Sequence, residues 1–163
     1  MNDLKAEVYK AQEEGDIAKL YMLEQRAQDE LSEDEVMRYY SNILELALER
    51  LTEVLEKAIK MDINEVQDFA TLRALYEYAV EHYSAGSVHD ASALFEVLSG
   101  LSNSKEFSKA MKIHQKAADA KITLDDFINE IADVDKTQQN GTFYVSAFSS
   151  KADELFNDSK TGK

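Results

Sequence analysis

Apolar residues recur along most of this chain at intervals of three and four, the spacing that places side chains on one face of a helix. Residues 2–13 carry Leu4, Val8 and Ala11 on one side, and Glu14-Gly15-Asp16 reads as a turn. Asp16 is placed to cap a second helix bearing Ile17, Leu20, Leu23, Ala27 and Leu31. Ser32 with Glu35 has the form of a capping box and opens the longest periodic run, from Glu33 to about Met61, which holds no glycine or proline. Two adjacent stripes follow it: Val36, Tyr40, Ile43, Ala47, Val54 and Ala58, then Met37, Leu44, Leu48, Leu51, Leu55 and Ile59. Such a helix would be ~43 Å long at 1.5 Å per residue. Its apolar face is wider than a dimer seam needs, so two neighbours are expected against it. It reads either as the spine of a helical bundle or as a self-association surface, with Leu44, Leu48, Leu51 and Leu55 at the seam.

Asp62 with Glu65 marks a break and a restart, and Phe69 and Leu72 begin a face that Leu75 and Ala79 continue. From Leu75 to Leu101 the pattern is that of two short antiparallel helices. The first sets Leu75, Tyr78, Ala79, His82 and Tyr83 on one face. Gly86 stands where a left-handed residue is needed, and Ser87 with Asp90 has the outline of a capping box. The second buries Val88, Ala91, Leu94, Phe95 and Leu98, with Gly100 placed to stop it. A further helix is expected from Ser102–Lys105 to about Ala120 through Phe107, Ala110, Met111, Ile113, His114 and Ala117. Thr123 with Asp126 should cap another carrying Leu124, Phe127, Ile128, Ile131 and Ala132. Residues 136–142 are polar, end in the turn signal Asn140-Gly141, and read as a tether to an apolar patch of Phe143, Tyr144, Val145 and Phe148. That patch either completes the core beside Phe127 and Ile131 or packs into a groove of the hairpin. Ser150 with Asp153 can cap a last short helix with Leu155 and Phe156, and the end is expected to fray.

The small, glycine and aromatic offsets between Leu75 and Leu101 resemble one tetratricopeptide repeat. Tyr78 and Ala79 stand at its seventh and eighth positions, Gly86 at the fifteenth, Ala91 at the twentieth and Phe95 at the twenty-fourth. Asn103 stands where the repeat's terminal proline is expected. With the lead-in Ile63-Asn64-Glu65-Val66, residues 62–103 resemble the first repeat of the class II translocator chaperones of type III secretion. That resemblance implies a helical protein that shields an apolar segment of a client. Residues 102–135 lack the same offsets, so only one repeat is legible.

Composition agrees with an all-α domain. The 163 residues include no proline, where about 5% is usual, and five glycines; 44% are apolar, a normal globular share. The expected organisation is a single all-α domain over 1–135, a bundle with one long central helix and a tetratricopeptide-like hairpin. Residues 136–163 are expected as a polar tether and short segment packing back on it. The net charge of −14 would repel phosphate backbones and anionic membrane surfaces, which argues against nucleic acid as a partner. No stretch approaches the roughly 18 continuous apolar residues of a membrane span, so no membrane insertion is expected and the cytoplasm is the default compartment.

Candidate chemistry is sparse. Without cysteine there is no disulfide, thiolate metal site or thiol nucleophile. His82, His89 and His114 lack the spacing of a metal pair, and packing or solvation accounts for them. Asp133-Val134-Asp135 opens like a calcium loop, yet Gln138 and Tyr144 stand where glycine and a bidentate glutamate are required. No catalytic residues, metal or cofactor are therefore assigned, and the sequence argues against an enzyme. What remains is shape: the first hairpin helix offers Tyr76, Tyr78, His82 and Tyr83 either as a wall for a protein or peptide client or as core filling. The function expected is a non-catalytic protein-binding module of chaperone or adaptor type. The alternative is a structural or regulatory helical protein that self-associates as a homodimer.

Overall fold

The computed structural model describes residues 2–161, with side chains from Asp3 to Leu155. The chain is all-α, and among the described residues no strand forms. Residue contacts divide it into two compact units, residues 1–75 and 76–163, with the boundary inside helix α5, Val66–Ser84. The expected cut at 135/136 falls within the second unit.

In the first unit α1, Asn2–Glu14, buries Leu4, Val8 and Ala11 and closes on Gly15 at φ +68°. Asp16 then caps α2, Ile17–Met22, by accepting from the Lys19 amide at 3.0 Å. The helix expected to run on to Leu31 is interrupted at Leu23, whose amide is shared between the Lys19 and Leu20 carbonyls, and α3 is Glu24–Glu30. Both halves of the Ser32/Glu35 capping box are formed at the start of α4, Glu33–Lys57. Of its first stripe Ile43, Ala47 and Val54 are buried, Val36 and Tyr40 are half-buried and Ala58 is exposed; Tyr39, outside that stripe, is buried, and its hydroxyl donates to the Leu20 carbonyl.

The long helix is shorter than its pattern suggests. Ala58 adopts a left-handed conformation, φ +54°, and the Ile59 amide donates back to Val54, which ends α4 before Met61. The Asp62/Glu65 restart is formed: Glu65 accepts from the Asp68 amide, and buried Asp68 accepts from the Asp62 amide while pairing with Arg50 at 3.4 Å. Phe69 departs from expectation. It is 43% exposed, at the edge of the face that buried Leu72, Leu75 and Ala79 share.

In the second unit the end of α5 turns at Gly86, φ +86°, into α6, Val88–Ser99. Ser87 makes no side-chain cap bond; the turn is closed by backbone bonds from Gly86 to Tyr83 and from Ser87 to His82. Helix α7, Lys105–Asp119, is capped by Ser104 and packs on α6, with Ser92 bonded to Asp119. Thr123 caps only a single turn, α8 (Leu124–Asp126). The chain then widens into a π-helical turn, Phe127–Ile131, closed by the Ala132 amide on the Phe127 carbonyl.

The tether expected at 136–142 is instead mostly helix. Asp133 caps α9, Val134–Asn140, and Gly141 at φ +69° ends it. Thr137 is an anchor, its hydroxyl oxygen accepting the amides of Ser146 and Ala147. Residues 142–149 then run beside 131–133, with bonds from the Asp133 amide to Ala147 and from the Ser149 amide to Ile131, and an isolated bridge between Ala132 and Phe148. Helix α10, Ser150–Thr161, packs on α7 and the π turn, and Lys151 pairs with Glu130 at 2.8 Å. The Phe156 side chain lies outside the described ones, and the end expected to fray is helical as far as Thr161, the last described residue.

Candidate functional site

The hairpin residues expected to form a client wall divide by burial. Tyr76 and Tyr83 are 6% and 1% exposed, and Tyr78 and His82 are half-buried and stacked edge to face at 4.7 Å. Tyr83 packs on Phe95 and Phe127 and donates to the Ile122 carbonyl at 2.6 Å. Tyr76 lies against Phe95, Phe143 and Tyr144. Tyr78 and His82 keep part of their surface open, whereas Tyr76 and Tyr83 fill the core of the second unit and line no open wall.

The reason is the C-terminal segment. Tyr144 is buried against Phe107, and Phe148 sits beside His114 and Phe127, so the aromatic patch completes the core of this unit. At its centre His114 is buried among Tyr76, Phe95 and Phe127. The Ala110 carbonyl can only accept, so the Nδ1 atom 2.7 Å away carries the proton, and Nε2 accepts from the Tyr76 hydroxyl at 2.8 Å. Tyr76 in turn accepts from the Val145 amide at 3.1 Å. Burial pushes the His114 imidazole down to about 4 and the Tyr76 phenol upward, so both are neutral near pH 7. Every polar atom of this relay has a partner within the core, which makes it a fastening of residues 143–148 rather than a reactive pair.

Among the described residues no cluster of three or more histidine, aspartate and glutamate side chains could hold a metal ion. No helix among them is long and apolar enough to cross a membrane.

An open apolar surface lies elsewhere, within the first unit. Helix α2 and the first turns of α5, with residues 63 and 64 between, border an open groove of about 570 Å³ lined by Ala18, Tyr21, Met22, Val66, Phe69 and Arg73 among others. Met22 is 77% exposed, Val66 64% and Phe69 43%. The two sides are tied together by Gln67, which donates to Asp16 at 2.6 Å and accepts from the Ala18 amide. Arg73 lies over the Tyr21 ring, 4.0 Å from its centroid, and pairs with Glu24 at 3.1 Å, which fixes that end of the groove. Asp62 and Glu65, neighbours in sequence of the lining residues 63, 64 and 66, are exposed. Sequence periodicity does not disclose this groove, because its walls lie more than forty residues apart and Phe69 reads as a core position. Its one trace is that Met22 and Val66 belong to no stripe.

The second stripe of α4 forms another apolar surface. Leu44, Leu48 and Leu51 are half-buried, Leu55 is 57% exposed, and Met37, at 66%, extends the row; Ile59, 46% exposed, lies past the left-handed Ala58 that ends α4. The four leucines expected at a seam thus lie on one face directed away from Tyr39 and Ile43. Comparison of the chain with protein-family models, with curated proteins and with solved structures finds no match.

Proposed function

We propose that this chain is a non-catalytic protein-binding module that covers an apolar, basic-flanked segment of a client in the groove between α2 and α5. The observation that carries the reading is the exposure of Met22, Val66 and Phe69 around one groove whose sides are tied by Gln67 and by the Arg73–Glu24 pair. Exposed apolar side chains that converge on a concavity lower their free energy when a partner covers them. Met22 adds an adaptable anchor suited to irregular client surfaces. Residues 1–75 hold twice as many acidic as basic side chains, so a client with lysine or arginine beside its apolar anchors is attracted and an acidic one repelled.

In its chaperone form, which draws on the resemblance of residues 62–103 to a translocator-chaperone repeat, the module shields the client segment from aggregation in the cytoplasm. The site then differs from the hairpin wall that the resemblance implies. A second reading is favoured by the exposed row on α4, namely self-association of this chain.

The test of client binding uses a labelled amphipathic helix of leucine and lysine as probe, with a leucine–glutamate helix as control. At about 25 cal/mol per Å², a complex of roughly micromolar affinity calls for about 500 Å² of apolar cover or more once an association cost of at least about 4 kcal/mol is met. The basic probe should bind, the acidic control should not, and Phe69→Glu should weaken binding about tenfold or more with helicity kept. Equal binding of both probes, or no effect of Phe69→Glu, would contradict the proposal.

A further inference from the structure

Of the seven asparagines in the chain, Asn140 alone is followed by glycine. Gly141 has no Cβ, so its amide nitrogen is open to close approach by the side chain before it. Both residues are exposed, at the end of helix α9. The fold holds the pair from two sides. The Gly141 amide donates to the Thr137 and Gln138 carbonyls, each at 3.1 Å. The Asn140 side-chain amide donates to the Ser146 hydroxyl at 3.0 Å. Ser146 and Thr142 share a hydroxyl bond at 2.9 Å, and the Thr142 hydroxyl also meets the Tyr144 carbonyl at 2.7 Å. That carbonyl can only accept, so Thr142 donates to it and Ser146 donates to Thr142. Three contacts are thus served by three protons, one each from Asn140, Ser146 and Thr142.

We propose that Asn140 is a site of spontaneous deamidation, and that the reaction unfastens residues 142–146 from the end of α9. The Gly141 nitrogen gives up its proton and attacks the side-chain carbonyl carbon of Asn140. The new carbon–nitrogen bond closes a succinimide ring, the bond to Nδ2 breaks, and ammonia leaves with the proton. Water, the one co-reactant, then adds across either carbon–nitrogen bond of the ring. Opening on the side-chain side leaves aspartate. Opening on the backbone side leaves isoaspartate, in which the side-chain methylene has become part of the main chain.

The fold sets both the rate and the consequence. Attack requires the Asn140 side chain to leave Ser146 and the Gly141 amide to leave its two carbonyls, so the last turn of α9 must unwind first. A helix of 7 residues has little stability of its own, and this one is held from the side by Thr137, which accepts the Ser146 and Ala147 amides. The population of that local opening therefore governs the reaction. Once an ionised carboxylate replaces the amide, residue 140 brings no proton to the cluster. Two hydroxyl protons then remain for three contacts, and one contact is lost. Isoaspartate also lengthens the main chain just before Gly141, whose left-handed conformation, φ +69°, ends the helix. The segment that follows sets Phe143 on Tyr76 and Tyr144 on Phe107, so its loosening reaches the core of the second unit.

Warm incubation of the full chain in neutral buffer for weeks, followed by peptide mapping with mass spectrometry, reads the conversion of each asparagine. Expected is conversion at Asn140 before any other asparagine, as the mass gain of an amide turned acid, in two products that separate by chromatography. Thr137→Val should speed it several-fold by favouring the opening, and Asn140→Gln, whose longer side chain closes the ring poorly, should abolish it at this position. Aged chains and fresh Asn140→Asp chains should both exchange the amides of residues 142–146 several-fold faster than fresh wild-type chains, with helicity kept. Earlier conversion at another asparagine, or aspartate formed without isoaspartate, overturns the site or its succinimide route. Equal rates in wild type and Thr137→Val overturn the control by α9. Unchanged exchange in both the aged and the Asn140→Asp chains overturns the unfastening.

Discussion

His114 shows how much of this chain's chemistry serves structure. Its folded imidazole titrates at about 4 because burial disfavours the charged form, against an ordinary value near 6.5 in the unfolded chain. Between those values the unfolded state binds more protons, so stability is fully present above about pH 6.5 and falls as pH drops toward 4. The difference corresponds to at most ~3 kcal/mol. Denaturant midpoints at several pH values should show this loss, and His114→Gln, which does not titrate, should flatten that limb. An unchanged slope in the variant would place the acid sensitivity elsewhere. At Ala91, fully buried in α6, packing sets the expectation instead: Ala91→Leu should overpack the second unit and cost about 1–3 kcal/mol, read as a lowered melting transition.

At the scale of elements, the helix ends show what sequence reveals and what it hides. Asp16, the Ser32/Glu35 box and the Asp62/Glu65 restart were legible because each is a local bond between a side chain and an amide two or three residues on. The end of α4 was not, because a left-handed alanine carries no signal in its identity. Ala58 is exposed and strained, so Ala58→Gly should stabilise the protein by about 1 kcal/mol in thermal unfolding. Residues 136–142 read as a tether because Lys-Thr-Gln-Gln-Asn-Gly-Thr is polar throughout. It is mostly a helix because Asp133 caps it and because Thr137 has partners nine and ten residues away. Thr137→Val removes that acceptor from the Ser146 and Ala147 amides and should cost about 1–3 kcal/mol, loosening residues 142–149 to amide exchange.

At the scale of the molecule, the all-α class followed from helical periodicity and the absence of proline, and the row on α4 was legible as a stripe. The division into two units was not, because α5 crosses it without a break in pattern. Tyr76 could be named from the hairpin pattern, but its enclosure depends on residues 143–145, and no local rule reports a partner so distant in sequence. The α2–α5 groove was hidden for the same reason. Since Phe143, Tyr144 and Phe148 complete the core of the second unit, removing residues 137–163 should lower stability clearly and give no gain in peptide binding.

The central claim is that clients are held in the groove of the first unit. The most direct measurement is a nuclear magnetic resonance titration of the isotope-labelled full chain with the leucine–lysine helix. The account predicts amide shifts concentrated in residues 18–24 and 63–73, with those of Tyr83, Phe95 and His114 unmoved. Shifts centred on the 76–101 hairpin, or spread evenly over the chain, would contradict it.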